Sequence, residues 1–323
     1  MDARSLLEKL AGFDGLESSG SVVVHHGAGD RPPDEALVFR AIALPMVIVT
    51  VTDVPLAEVD EGWRELSDLI VGPDDPALTD VERHLEQRPV ACASLALLLR
   101  GESRRAVADG FVIESATYSL LQSGPEFAAW RAAHAARPIT DDAPRVRVSR
   151  TGEVLDIVLT RPDRLNALDA RMRDELAQAL MVAEVDPTIE RVFLSGEGRA
   201  FCSGGDLDEF GRRPDPARAH VIRLQRHLGR MLYELRSRTS VHVHGPCAGS
   251  GVELAAFAAH VAADRSTTMS LPEIGLGLVP GAGGTVSIPR RIGRVRTAWM
   301  AFSGRAVDAA TALEWGLVDE LTS

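Results

Sequence analysis

The sequence predicts an α/β protein in two parts, a mostly helical domain over residues 1–142 and a domain over 143–323 in which strands and helices alternate. Three observations carry this reading. Downstream, short β-branched runs alternate with amphipathic stretches, the pattern of a mainly parallel sheet with crossover helices. Upstream, apolar residues recur mostly at helical spacing. Between them, RPITDDAPR (137–145) places two prolines and two adjacent aspartates between periodic segments, as a linker does.

Upstream, VVVH (22–25) and MVIVTV (46–51) are short strand-like runs. Thr79-Asp80-Val81-Glu82 resembles a capping box that opens a helix. Residues 90–100 form an Ala/Leu-rich helix. Over 104–122, Val107, Phe111, Val112, Tyr118 and Leu121 fall at helical spacing, and 127–134 makes a last short helix. Downstream, strands are expected at 154–159, 191–195, 241–244 and 269–271, and helices at 170–185, 221–235, 251–261, 297–303 and 308–314.

Composition narrows the function. The chain has 323 residues with 45% hydrophobic content, which provides ample material for a core. Its 46 acidic residues outweigh 35 basic ones, so nucleic acid and anionic membrane are poor partners, although a local patch can still hold a small anion. Cys92, Cys202 and Cys247 are odd in number and lack metal-ligand spacing, so no metal site is expected. The first residues lack the layout of a secretory leader, and no apolar run approaches a membrane span. The expectation is a soluble cytoplasmic protein.

Three segments carry chemistry. RAFCSGGDL (199–207) holds two consecutive glycines, Gly204 and Gly205, in a turn able to aim amides at a ligand; an ordinary glycine turn reads the same way. GPCAGSGVEL (245–254) runs from a β-branched strand through Gly249 into a helix beginning near Ser250, an arrangement suited to an anion or oxyanion. Glu253 follows in the first turn, where it either works chemically or complements the helix dipole. In SLPEIGLGLVPGAGGT (270–285), Glu273 stands between a proline and an apolar run; desolvation there raises a carboxyl pKa toward acid/base work, unless the residue is an exposed turn glutamate. Two amides and two carboxylates together suffice to stabilise an enolate and move its protons.

Five ordered blocks identify a family: RPDRLNALD (161–169), GRAFCSGGDLDEF (198–210), GPCAGSGVELA (245–255), LPEIGLGLVPGAGGT (271–285) and SGRAVDAATALEWGLVDEL (303–321). Residues of about 145–321 resemble the crotonase, or enoyl-CoA hydratase/isomerase, superfamily. The resemblance implies a spiral core of repeated ββα units and a coenzyme A thioester as substrate, with no permanently bound cofactor. It puts the oxyanion-hole amides on Gly205 and Ser250 and the proton-handling pair on Glu253 and Glu273. It places Ala200, Gly204 and Gly249 against the substrate, and it implies a homotrimer or dimer of trimers. Serine at 250, where glycine is usual, is tolerable with a negative φ.

Two departures stand out. The sequence given ends right after GLVDEL, short of the family's usual C-terminal helical segment. About 140 residues precede the core, and 95–130 resembles the helical N-terminal region of the (3,5-dihydroxyphenyl)acetyl-CoA dioxygenases, which are cofactor-free relatives. Hydratase/isomerase chemistry is therefore the primary expectation. Direct oxygenation of an aryl-acetyl-CoA carbanion and non-catalytic acyl-CoA binding are the alternatives.

Other residues admit two readings. Arg290, Arg291, Arg294 and Arg296 either attract coenzyme A phosphates or form a solvated helix end. His242 and His244 share a strand face and read as structural. Cys202 and Cys247 read as small core residues. Arg223, Arg226 and Arg230 share a helix face, read as solvated unless one meets substrate.

Overall fold

The computed structural model describes residues 21–138, 142–212 and 215–322. The leader reading and residues 139–141 of the expected linker lie outside them. The downstream part is built on a six-stranded sheet of order β12-β9-β7-β6-β5-β4. Its strands are β4 (Val146–Thr151), β5 (Val154–Leu159), β6 (Arg191–Gly196), β7 (Thr239–Val243), β9 (His260–Asp264) and β12 (Glu320–Thr322). All pairs are parallel except β4 with β5. A smaller sheet joins β8 (Pro246–Ala248), β10 (Thr268–Ser270) and β11 (Val307–Asp308).

The chain alternates between these sheets. It leaves β7 for β8 and then forms the helix Ser250–Ala255; it leaves β9 for β10 and then forms the 3-10 turn Glu273–Leu276. The first is a ββα unit as expected; the second ends in a 3-10 turn in place of the α-helix, and the register puts Ala248 beside Ser270. Glu253 and Glu273 thus follow equivalent ends of neighbouring strands.

The upstream part is less helical than expected. It contains a parallel sheet, β1 (Ser21–His26), β2 (Val47–Thr52) and β3 (Leu69–Val71). The first two are the strand-like runs of the sequence; the third is too short to show a pattern. Successive side chains face opposite sides. Ile48 and Ile70 pack with Leu37, Trp63 and Leu66 in a separate core. Val47, Val49, Leu69 and Val71 face the other way, into the main core shared with the downstream strands. The two parts therefore share one interior. Arg294 reinforces the joint by donating to the carbonyls of Arg64 and Glu65 at 2.7 and 2.9 Å.

Three helix expectations need correction. The helix of residues 77–87 starts at Ala77, with Thr79 already inside and no side-chain cap. The helix expected at 221–235 is two, Pro216–Gln225 and Leu228–Leu235, because the His227 side chain caps the second by accepting from the Arg230 amide. The helix expected at 251–261 ends at Ala255, because His260–Asp264 pairs with β7, and sheet pairing overrides the Ala-rich helical propensity. Helix 170–185 and strand 154–159 fall where the sequence puts them.

Candidate functional site

A cavity of about 370 Å³ lies where the two parts meet. Gly204, Gly205, Gly249, Ser250, Glu253 and Glu273 all line it. Ala200 does not; it is fully buried, and its carbonyl accepts the Asn166 side-chain amide at 2.8 Å.

The glycine loops touch backbone to backbone. A Cβ on Gly204, whose φ is +98°, would stand 3.1 Å from the Ala248 carbonyl oxygen. Gly249 has φ +48°, and a Cβ there would stand 2.5 Å from Glu273 Oε1. Both positions favour glycine by their positive φ; at Gly204 a Cβ also crowds backbone, and at Gly249 it displaces the Glu273 carboxylate. The Ala248 amide donates to the Cys202 carbonyl and the Gly249 amide to the Ser270 carbonyl, which fixes both loops. Among the described residues, the amides of Gly205 and Ser250 donate no hydrogen bond. Ser250 is not among the positive-φ residues, so its side chain is accommodated without backbone strain.

Three buried carboxyl groups converge here. Glu253 is 2% exposed, Glu273 8% and Glu114 0%. Glu253 Oε2 accepts the amides of Ala282 and Gly284 at 2.7 and 2.8 Å. Glu114, from the upstream helix Val107–Gln122, accepts the intervening amides: Gly283 at 2.7 Å and Thr285 at 2.8 Å, with the Thr285 hydroxyl at 2.6 Å. Consecutive amides of one loop thus serve the two carboxylates in turn. Glu273 Oε2 has no hydrogen-bond partner. Burial, then Glu273 and Glu114, push Glu253 well above the ordinary carboxyl range, while the two loop amides pull it back. Burial lifts Glu273 to about 7, with Glu114 adding to the rise. Burial also lifts Glu114 to about 7 against the pull of Thr285 and Gly283. Glu114 and Glu273 thus change protonation near neutrality.

The profile of the enoyl-CoA hydratase/isomerase family matches residues 149–323. The chain belongs to that family. Over 170 residues, 51% of this chain and 64% of the relative, it is 38% identical to the 1,2-epoxyphenylacetyl-CoA isomerase of Escherichia coli (strain K12). Over 174 residues, 54% of this chain and 68% of the relative, it is 34% identical to the 2,3-dehydroadipyl-CoA hydratase of the same strain. An enoyl-CoA hydratase structure from Thermoplasma volcanium GSS1 matches with a TM-score of 0.52 at 32% identity, covering 56% of this chain and 72% of that one. The chain therefore spans less than two thirds of the first relative. The family match starts downstream of the 95–130 stretch.

Within this family member, several site residues escape sequence reading. Glu114 and Tyr118 come from the upstream helix, and only Glu114 leaves a signal: a carboxylate on the same face as Phe111 and Tyr118. Arg223 is not on a solvated face. It lines the cavity, donates through Nη1 to the Ser115 carbonyl and to the Ser115 and Ser119 hydroxyls, and lies 4.5 Å over the Tyr118 ring. Arg226 pairs with Asp174, and Arg230 with Glu234. The downstream arginine cluster is structural: Arg290 pairs with Glu102, Arg291 with Asp319, Arg294 with Asp68, and Arg296 donates to the Trp315 carbonyl. His242 bonds Asp264 at 2.9 Å, and His244 bonds the Gly198 carbonyl. Cys202 and Cys247 are buried, and burial pushes both thiols up, away from the reactive thiolate. No group of metal-ligating side chains occurs among the described residues, and none of their helices is long and apolar enough to cross a membrane.

Proposed function

We propose that this chain acts on acyl-CoA thioesters by hydratase/isomerase chemistry through a stabilised enolate. The observation that carries the reading is the pair of unengaged amides, Gly205 and Ser250, on touching loops beside two buried carboxyl groups. The thioester oxygen lies between those amides, which donate to it as negative charge develops. Glu253 and Glu273 hold one water: one carboxylate takes its proton as the oxygen adds to the β-carbon, and the other carboxyl protonates the α-carbon. Each keeps an oxygen for this work, since Glu253 engages the loop amides through Oε2 alone and Glu273 Oε2 has no partner. Proton movement between α- and γ-carbons uses the same groups.

The test is incubation with enoyl- and acyl-CoA thioesters in heavy water, read by mass spectrometry. Gain of one water, or deuterium at the α-carbon, is expected. Glu253→Gln should lower turnover at least ~100-fold while acyl-CoA still binds. Unchanged turnover removes Glu253 from the mechanism, and oxygen uptake with an aryl-acetyl-CoA replaces protonation by oxygenation as the fate of the enolate.

A further inference from the structure

The cavity wall holds two donors that the proposed chemistry does not use. His227 is 3% exposed and lines the cavity, and its Nε2 has no hydrogen-bond partner. Its Nδ1 accepts the Arg230 amide at 3.2 Å, so the neutral ring carries its proton on Nε2. The ring is fixed by that bond and by Phe111, whose centroid is 4.6 Å away. Burial and the nearby Arg223 and Arg230 lower its pKa to about 4, so it stays neutral in ordinary buffers. A buried donor with no acceptor is costly unless a ligand supplies one.

Arg223 stands four residues earlier in the chain and lines the same cavity. Its three hydrogen bonds all leave Nη1 and all reach uncharged oxygens. No carboxylate lies within ion-pairing distance of it among the described residues. A guanidinium has five N–H donors in a planar fork, so most of its capacity is uncommitted. The other cavity arginines, Arg173 and Arg226, both pair with Asp174. Arg223 is the one left to meet a ligand's charge.

We propose that His227 and Arg223 select an acyl group bearing an oxygen acceptor, a carboxylate or a hydroxyl, away from the thioester. This rests on the acyl-CoA reading above. An apolar acyl chain would leave the His227 Nε2 donor unsatisfied and the Arg223 charge without a counter-charge, and a site built to hydrogen-bond its substrate discriminates strongly against the analogue lacking the group. The two sources of the acceptor, dicarboxylic and hydroxyaryl acyl groups, call for different probes.

The experiment is calorimetric binding of two matched pairs to the full chain: hexanoyl- against adipyl-CoA, and phenylacetyl- against 3-hydroxyphenylacetyl-CoA. In at least one pair the oxygen-bearing member is expected to bind at least tenfold tighter. His227→Phe and Arg223→Met should each reduce that preference to within about threefold, with circular dichroism and melting temperature confirming that each variant folds. Preference confined to the adipyl pair assigns a carboxylate; preference confined to the aryl pair assigns a hydroxyl. Equal binding within both pairs overturns this proposal and leaves the acyl-CoA reading intact, as does a preference that survives both substitutions. If none of the four thioesters binds, the acyl-CoA reading falls and takes this proposal with it.

Discussion

The downstream half carries the family's glycine loops and both proposed catalytic carboxyls, yet the upstream half completes the wall around them. Glu253 reaches the 282–285 loop from the family core, and Glu114 reaches the same loop from a helix outside the family match. The two are alike in burial and in the amides they accept, but not in surroundings. Glu253 faces the cavity beside Glu273, whereas Glu114 is sealed and takes a third donor from Thr285. A carboxylate of the first kind is available for chemistry; one of the second kind sets geometry. The difference shows that a cavity lined by one region's motifs can take part of its shape from a region outside them.

Substitutions break this comparison in graded ways. Gly249→Ala brings the largest loss. Its Cβ would enter the Glu273 carboxylate and its φ suits glycine, so turnover should fall by more than ~100-fold with the fold retained, as steady-state kinetics and circular dichroism will show. Turnover within fivefold of the wild type contradicts the tight apposition. Glu114→Gln comes next. It sets an amide N–H against a loop donor, which costs about 1–3 kcal/mol and shifts the loop holding Glu253. A fall in kcat of ~10–100-fold with KM little changed is expected. A rise in KM alone would assign Glu114 to binding.

Asp68→Asn acts away from the cavity, on the buried pair with Arg100 and on the joint made by Arg294. Asp68 pairs with buried Arg100, whose Nε lies 2.7 Å from Oδ1, so the change should cost about 3 kcal/mol in a urea melt without altering the site. At the small end, Arg230→Ala removes an exposed pair with Glu234 and should cost less than ~0.5 kcal/mol.

Stability should also depend on pH through the carboxyl triad. In the unfolded chain these groups lose their protons near pH 4.3, whereas Glu114 and Glu273 keep theirs in the folded protein to about 7. The folded state binds more protons across that window, so stability falls as pH rises from about 4.3 to 7. Melting temperatures at pH 5 and pH 8 read the slope, which Glu114→Gln should flatten. An unchanged slope in that variant would mean that Glu114 does not contribute.

Much of the downstream half is legible because its information is local. Glycines at 204 and 249 mark close approaches, and Glu253 and Glu273 stand at fixed steps from strand ends. Strand 154–159 and helix 170–185 announce themselves by periodicity. The break at His227 has no proline to mark it, and Gly229 falls inside the second helix; the break depends on a side-chain cap. The upstream sheet is half hidden because its third strand has only three residues. His227 carries no signal in the sequence, and the spacing of Arg223, Arg226 and Arg230 does not say which of them turns inward; folding brings His227 and Arg223 to one wall.

The alternating amides of residues 282–285 have a further consequence for how such a protein can be divided. A fragment beginning near residue 143 would keep every family block but lose the Glu114 acceptor for two amides and a hydroxyl. It would also expose the face where Val47, Leu69 and their neighbours join the shared interior. The linker composition marks a seam in the chain, but the loop is stitched from both sides of it. Replacement of the upstream half would succeed only if the helix and the loop were replaced together.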